Sequence, residues 1–332
     1  MQNFYIFKSG KLKRKSNTLY LIYKEKEKKI TKSLPIHSIG NIFIFGEIGL
    51  NSRTLNFLAH KKIPIHFFNY KGFYTGSFMP RTNLRSGFLL VNQVKFYLDL
   101  NERLKIAKEI VNGAIHNTLK NLIYYKKHSK NLDTEIEHIQ KLQAKINEVS
   151  SISELMAIEG NVKHVYYGSF EKILPQEFIM EKRTRRPPQN MINALISFGN
   201  SLLYTTCLGE IFRTQLEPTI SFLHEPGERR FSLSLDIAEI FKPIIVDKII
   251  FKLINNRMIK ESHFLQEINY IYLNEKGKRI FLEEYDNRLN QTIQHPRMKR
   301  SVSYKTIIRL ECYKLIKHLV GDEEYKSFKM WW

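Results

Sequence analysis

Cysteine is scarce in this chain: two residues, Cys207 and Cys312, in 332. They lie far apart and neither belongs to a C-x-x-C pair, which argues against zinc ribbons and disulfide frameworks. Both fall in helical apolar patterns, where a free cysteine behaves as a small core residue. Long uncharged apolar runs are missing too. The most apolar window, PIIVDKIIFKLI at 243–254, is broken by Asp247, Lys248 and Lys252 and is well short of a spanning helix. No N-terminal segment joins a charged start, an apolar centre and a small-residue cleavage site, so the expectation is a soluble, intracellular protein with no membrane partner. Acidic residues are also in short supply. Only 32 Asp and Glu stand against 53 Lys and Arg, leaving a formal charge of +21. That excess is too large for solubility tuning and points to a polyanion, chiefly DNA or RNA, ahead of an anionic membrane surface.

What is present divides the chain in two. At this length there is room for two domains with substantial cores. The first eighty residues carry strand patterns. TLYLIYKEKEKKITKSLP alternates apolar and polar residues around a charged turn, as a hairpin does. NIFIFGEIG is a short apolar run ending in glycines, and KKIPIHFFNYKGFYTGSFMP reads as two strands joined across Asn69 to Gly72. Between them SRTLNFLAHKK has the spacing of one short helix capped by Ser52. From Leu89 the period changes to that of helices, through Ile123 to the polar stretch KKHSKN. A mostly polar helix is expected from Asp133 to about Glu148, and the remainder is helical in pattern almost to the end. The expected fold class is therefore α+β: a small β-rich N-terminal domain over 1–86 and a larger all-α domain over 87–332. The final EEYKSFKMWW is expected to be partly mobile.

Several acids stand where apolar residues would be ordinary. In SISELMAIEGNVKHVYYGSF, at 151–170, Glu159 lies on the same helical stripe as Leu155, Val162 and Tyr166. A carboxylate facing a core costs several kcal/mol unless a cation or donors satisfy it. Gly160 beside it sacrifices about 1 kcal/mol of helix propensity, as glycines do where a backbone or ligand comes close. In FLHEPGERRFSLSLDIAEIFKP, at 222–243, Asp236 and Glu239 stand at i and i+3 of a helix expected to start near Ser234, behind His224 and ahead of Lys242 and the helix-breaking Pro243. A plainer reading makes Glu159 a helix-edge residue, His224 a satisfied histidine, and the acidic pair an exposed face matched by Arg229, Arg230 or Lys242. The sharper reading is a site for a divalent cation. One imidazole and two or three carboxylates suit Mg²⁺ or Mn²⁺, the nitrogen favouring Mn²⁺. HEPGE is not the H-E-x-x-H of zinc hydrolases. Such cations serve phosphodiester chemistry, and the basic surface would hold its substrate. Ligation requires the side chains to converge within about 6 Å of a common centre, since such bonds are roughly 2.0–2.6 Å.

Four motifs in order then resemble the Cas1 family of CRISPR-associated adaptation integrases: IEG at 158–160, RRPPQNMINALISFGNSLLY at 185–204, FLH at 222–224 and DIAEIFKP at 236–243. LPIHSIGNIFIFG, the short helix and KKIPIHFFNYKGFYTG are similar to the family's β-domain. The resemblance implies a metal-dependent DNA endonuclease or integrase that inserts short foreign DNA fragments into a CRISPR array, in the cytoplasm of a prokaryote. It implies Glu159, His224 and Glu239 as catalytic metal ligands for Mn²⁺ or Mg²⁺. The last position is often aspartate in the family, which leaves Asp236 as a competing acid in a supporting role. Lys242, Arg185, Arg186, Arg229 and Arg230 would contact the backbone of double-stranded DNA. Tyr166 and Tyr204 are either core residues or platforms for a splayed base. The family further implies a homodimer through the β-domain and a higher-order complex with the small Cas2 protein; edge strands and the basic segment HPRMKRSVSYK, at 295–305, offer contact surfaces.

Three rivals share parts of this pattern. A non-catalytic basic DNA-binding protein keeps the charge and treats the acids as structural. A hydrolase of small phosphate esters has no use for so extended a positive surface. A branched-DNA repair nuclease shares every site residue, and only the substrate separates it.

Overall fold

The computed structural model describes residues 2–81, 86–128, 130–180, 183–184, 187–227, 231–268, 270–296 and 298–331. The chain divides into two compact units, residues 1–83 and 84–332.

The first unit is built on two four-stranded sheets. Its strands are β1 (Gln2–Ile6), β2 (Gly10–Lys15), β3 (Thr18–Glu25), β4 (Lys28–Leu34), β5 (Ile39–Ile44), β6 (Ile48–Gly49), β7 (Ile65–Phe68) and β8 (Tyr74–Phe78), with helix α1 (Ser52–His60) between β6 and β7. One sheet runs β1-β5-β7-β8, parallel except for the final β7–β8 hairpin; the other runs β4-β3-β2-β6. The charged hairpin closes with Glu25 opposite Lys28. Its turn residues Lys26 and Glu27 both take positive φ, 45° and 66°, as a right-twisted two-residue turn demands even without glycine. Alternate residues of both sheets, among them Leu12, Leu19, Ile42 and Ile65, meet Phe57 and Leu58 of α1 in one core. The helix is capped by Asn51, whose side chain accepts from the Thr54 N–H; Ser52, the expected cap, is the first helical residue.

The second unit is mainly helical: α2 (Gly87–Leu98), α3 (Leu100–Lys127), α4 (Asp133–Ala144), α5 (Ile152–Gly168), α6 (Phe170–Ile173), α7 (Met191–Ile211), α8 (Ser232–Phe241), α9 (Lys248–Asn255), α10 (Glu275–Asn290) and α11 (Tyr304–Leu319). Two short hairpins interrupt them, β9 (Phe264–Glu267) with β10 (Tyr270–Leu273) and β11 (Thr292–His295) with β12 (Arg300–Ser303). The unit is mostly helical, as expected, and the sequence pattern gave no sign of these four strands. Four residues each, and half-buried or exposed at every position except Leu273 and Val302, they bury too little to leave an alternating pattern. Helices α7 and α8 are buried on nearly every face, the mark of central helices. Gly199 of α7 lets α10 and the segment after α8 come close: a Cβ there would sit 2.6 Å from Val246 Cγ1 and 2.8 Å from Phe281 Cζ. Both cysteines are free and buried, as their pattern suggests.

Between α8 and α9 the chain makes a π-helical turn over Pro243–Asp247. The Lys242 carbonyl there accepts from both the Val246 and Asp247 N–H, at 2.9 and 3.1 Å. The segment after α11, expected to be mobile, is instead docked. Tyr325, Phe328 and Met330 are buried. Asn117 of α3 donates to the carbonyls of Ile240 and Phe328 and accepts from the Met330 N–H. Glu311 of α11 accepts from the Tyr325 hydroxyl and the Phe328 N–H.

Candidate active site

The side chains of interest come from α5, α8 and the loop before α8. Ser151 caps α5 by accepting from the Glu154 N–H. This sets the helix phase so that Leu155, Ile158, Glu159, Val162 and Tyr166 all turn inward. Glu159 is 9% exposed, so its carboxylate does face the interior. Gly160 is exposed, and a Cβ on it would meet nothing within 4 Å among the described residues.

The loop carrying His224 is fastened from several sides. Gln93 donates to the carbonyls of Glu217 and Ile220. The nearly buried Arg103 donates to the Phe222 carbonyl at 2.9 Å and pairs with Glu225 at 2.7 Å. The largest share falls to Asp236, fully buried in α8. Its Oδ2 accepts from the Phe222 and Leu223 N–H at 2.7 and 3.0 Å, and its Oδ1 from the His224 N–H and from His224 Nδ1, at 3.0 and 2.8 Å. Asp236 thus anchors the loop, with both its oxygens engaged by it. A carboxylate only accepts, so Nδ1 carries the proton and Nε2 presents its lone pair. That Nε2 lies 4.0 Å from Glu239 Oε1.

Glu239 is the centre of the arrangement. Lys163, one turn after Glu159 on α5, contacts Glu159 Oε1 and lies 2.9 Å from Glu239 Oε2. Lys242 contacts Glu239 Oε1. Burial resists ionisation of Glu239, but the charges of Lys163 and Lys242, joined by that of His224 when its ring is protonated, outweigh it and hold the carboxyl well below its ordinary range. The two lysines differ. Burial depresses both, yet Lys163 is shared by two carboxylates and is held above its ordinary value, while Lys242 touches one and falls below.

Beneath this layer lies a second acid. Asp247, at the end of the π-helical turn, is 3% exposed, and burial pushes its carboxyl up to about 7, against the pull of Tyr166, Lys242, Arg183 and Lys163. Asn121 donates to the Tyr166 hydroxyl and to the Pro243 carbonyl. Tyr166 is thus a core residue and offers no face to a base. Tyr204 is half-buried, with its hydroxyl accepting from the Phe231 N–H.

Of the residues expected at the site, Glu159, His224 and Glu239 come together through Lys163 and the Glu239 carboxylate. Lys242 turns inward to Glu239, whereas a phosphate contact was expected of it. Arg185, Arg186, Arg229 and Arg230 lie outside the described residues. Sequence reasoning missed Lys163, whose i+4 spacing from Glu159 was its signal. It also missed Arg183, which donates to Asn193 at 2.8 Å, and the role of Asp247, an acid amid PIIVDKIIF. Among the described residues no three His, Cys, Asp or Glu side chains form a ready-made set of metal ligands. The donors nevertheless suit a divalent cation: two carboxylates already share one positive charge, and a neutral imidazole nitrogen faces the second of them. Among the described residues no helix is long and apolar enough to cross a membrane.

Comparison with known proteins agrees with the motifs. The family model "CRISPR associated protein Cas1" matches residues 4–287. A CRISPR-associated endonuclease Cas1 of Thermodesulfovibrio yellowstonii is 52% identical over 332 residues, covering 100% of both chains. The structure of a Cas1 protein from Thermotoga maritima superposes with a TM-score of 0.88 at 43% identity, over 98% of this chain and 100% of that one. A casposase bound to integration product shares the fold alone, with a TM-score of 0.87 at 23% identity, over 99% of this chain and 93% of that one. By the match of the family model and by identity along its whole length, this chain belongs to the Cas1 family of CRISPR-associated proteins.

Proposed function

We propose that this chain is a metal-dependent DNA endonuclease and integrase of CRISPR adaptation, working in the cytoplasm of a prokaryote. The observation that carries the reading is the Lys163 ammonium spanning Glu159 and Glu239, with His224 Nε2 4.0 Å from the latter. Glu159, His224 and Glu239 would hold Mn²⁺ or Mg²⁺. When bound, the cation polarises the phosphoryl oxygen and eases deprotonation of the attacking hydroxyl. Asp236 keeps the His224 proton on Nδ1 and so keeps Nε2 available as a donor. The reaction is a transesterification. The 3′-oxygen of a short fragment bonds to phosphorus at the repeat boundary, the array's own 3′-oxygen leaves, and one proton passes from the attacking to the departing oxygen. The number of phosphodiester bonds is unchanged, so no external energy source is required. With water as the nucleophile the same site cuts.

The net charge of +21 supports double-stranded DNA as the partner, with Arg185, Arg186, Arg229 and Arg230 on its phosphates. Membership of the family supports a homodimer through the β-rich unit and assembly with the Cas2 protein. The test is joining of a short duplex with free 3′-hydroxyls into a supercoiled plasmid bearing a CRISPR repeat, with Cas2 present. Joining is expected with Mn²⁺ or Mg²⁺, absent in EDTA, and abolished by His224→Ala and Glu239→Gln while DNA affinity persists. DNA binding without joining or nicking in any metal would refute it.

A further inference from the structure

Two cations cannot occupy the space between the same two carboxylates. Lys163 Nζ already holds that space, in contact with Glu159 Oε1 and 2.9 Å from Glu239 Oε2, whereas a metal–oxygen bond is about 2.0–2.6 Å. Charge argues the same way. Glu159, Glu239, Lys163 and Lys242 balance to zero, so a divalent cation added to all four would leave an uncompensated double charge among groups that are mostly buried. Release of one lysine removes half of that excess. The two lysines are not equivalent candidates. Lys242 touches one carboxylate and its side chain is 18% exposed, while Lys163 bridges both and is 24% exposed, three residues after the exposed Gly160 on α5. Asp236 does not receive it, because both its oxygens are engaged by the loop.

Resting on the metal-site reading above, we propose that Lys163 is a tethered counterion occupying the metal position, displaced outward when a divalent cation binds. In the cation-free protein it keeps Glu159 and Glu239 together. On exchange its ammonium moves to the solvent side of α5, where a DNA phosphate can take it up. Metal loading and substrate binding are thereby coupled through one side chain, and the site favours the cation more strongly when DNA is present.

Two measurements on the full-length protein test this. The first is labelling of wild-type Lys163 by an amine-acetylating reagent, read by peptide mass spectrometry in EDTA and in Mn²⁺. Mn²⁺ is expected to speed labelling of Lys163 by about tenfold or more, as a buried ion pair is exchanged for an exposed ammonium. The second is Mn²⁺ affinity, read as free Mn²⁺ by electron paramagnetic resonance, without DNA. Lys163→Met is expected to bind about tenfold tighter than wild type, because no occupant has to leave. If that variant fails to fold, the labelling decides. Mn²⁺ binding that Glu239→Gln removes, with Lys163 labelling unchanged by Mn²⁺, would overturn the exchange and leave the metal site standing. No Mn²⁺ binding by either wild type or Lys163→Met would overturn both.

Discussion

Replacing Asp236 with asparagine separates an anchor from a ligand. Four donors converge on this carboxylate, two on each oxygen, at 2.7–3.0 Å. Asparagine keeps one acceptor oxygen. If that oxygen stays with the Phe222 and Leu223 N–H, the new NH₂ opposes the His224 N–H and deprives Nδ1–H of its acceptor. Two charge-assisted bonds are lost, at about 1.5 kcal/mol each, so Asp236→Asn is expected to cost about 3 kcal/mol. The chemical effect is larger in kind. The amide favours an unprotonated Nδ1, which moves the proton to Nε2 and removes the lone pair that faces Glu239. Mn²⁺ affinity is expected to fall by about 10–100-fold, the usual consequence of losing a histidine's outer partner. Urea unfolding reads the first quantity, titration with Mn²⁺ the second, and ¹⁵N-histidine spectra the tautomer. A variant as stable as wild type, with undiminished Mn²⁺ affinity, would refute the anchoring role. Affinity lost as completely as in His224→Ala, with the tautomer unchanged, would make Asp236 a ligand after all.

Two further perturbations act on groups around the site. Asp247 binds its proton more tightly in the folded chain, where burial brings it up to about 7, than in the unfolded one. Its contribution to stability is therefore fully present below the ordinary carboxylate range and is lost as pH rises towards and through 7. Asp247→Asn removes this loss, at up to about 1.4 kcal/mol per pH unit of that window, so the variant should gain on wild type in unfolding at pH 8 and not at pH 4; parallel pH profiles would refute the assignment. Phe328 is 6% exposed and stacks on Phe241 of α8, ring centres 5.6 Å apart. Phe328→Ala should cost about 3–5 kcal/mol and release the tail to limited proteolysis; a change within about 0.5 kcal/mol, with the tail still protected, would show that its docking does not matter.

The contrast between what the sequence disclosed and what it hid follows from range. The β3–β4 hairpin and the β7–β8 pair were legible because period-two alternation and a turn lie within twenty residues. Glu159 was legible because a carboxylate on an apolar stripe violates a local pattern. Lys163 was not, although it stands four residues away, because a lysine on a helix is ordinarily solvated; only the approach of Glu239 from another helix gives it its place. The tail was misjudged for the same reason. Its polar partners Asn117 and Glu311 are 213 and 14–17 residues distant, and nothing in EEYKSFKMWW itself announces them. The Ser52 cap missed by one residue, as either of two neighbouring polar side chains satisfies the rule.

The π-helical turn at Pro243–Asp247 also dictates where this protein tolerates changes in length. An ordinary α-helix would cover the same path with one residue fewer. A single deletion within the five is therefore absorbed as a regular helix, and the phase of α9 is kept. The same deletion within α9 itself would rotate everything beyond by about 100° and swing its buried side, with Ile249, Ile250, Leu253 and Ile254, out of the core. A one-residue gap drawn between Lys242 and Lys248 in an alignment thus marks loss of the π turn, while larger insertions belong at exposed turns such as Lys26–Glu27.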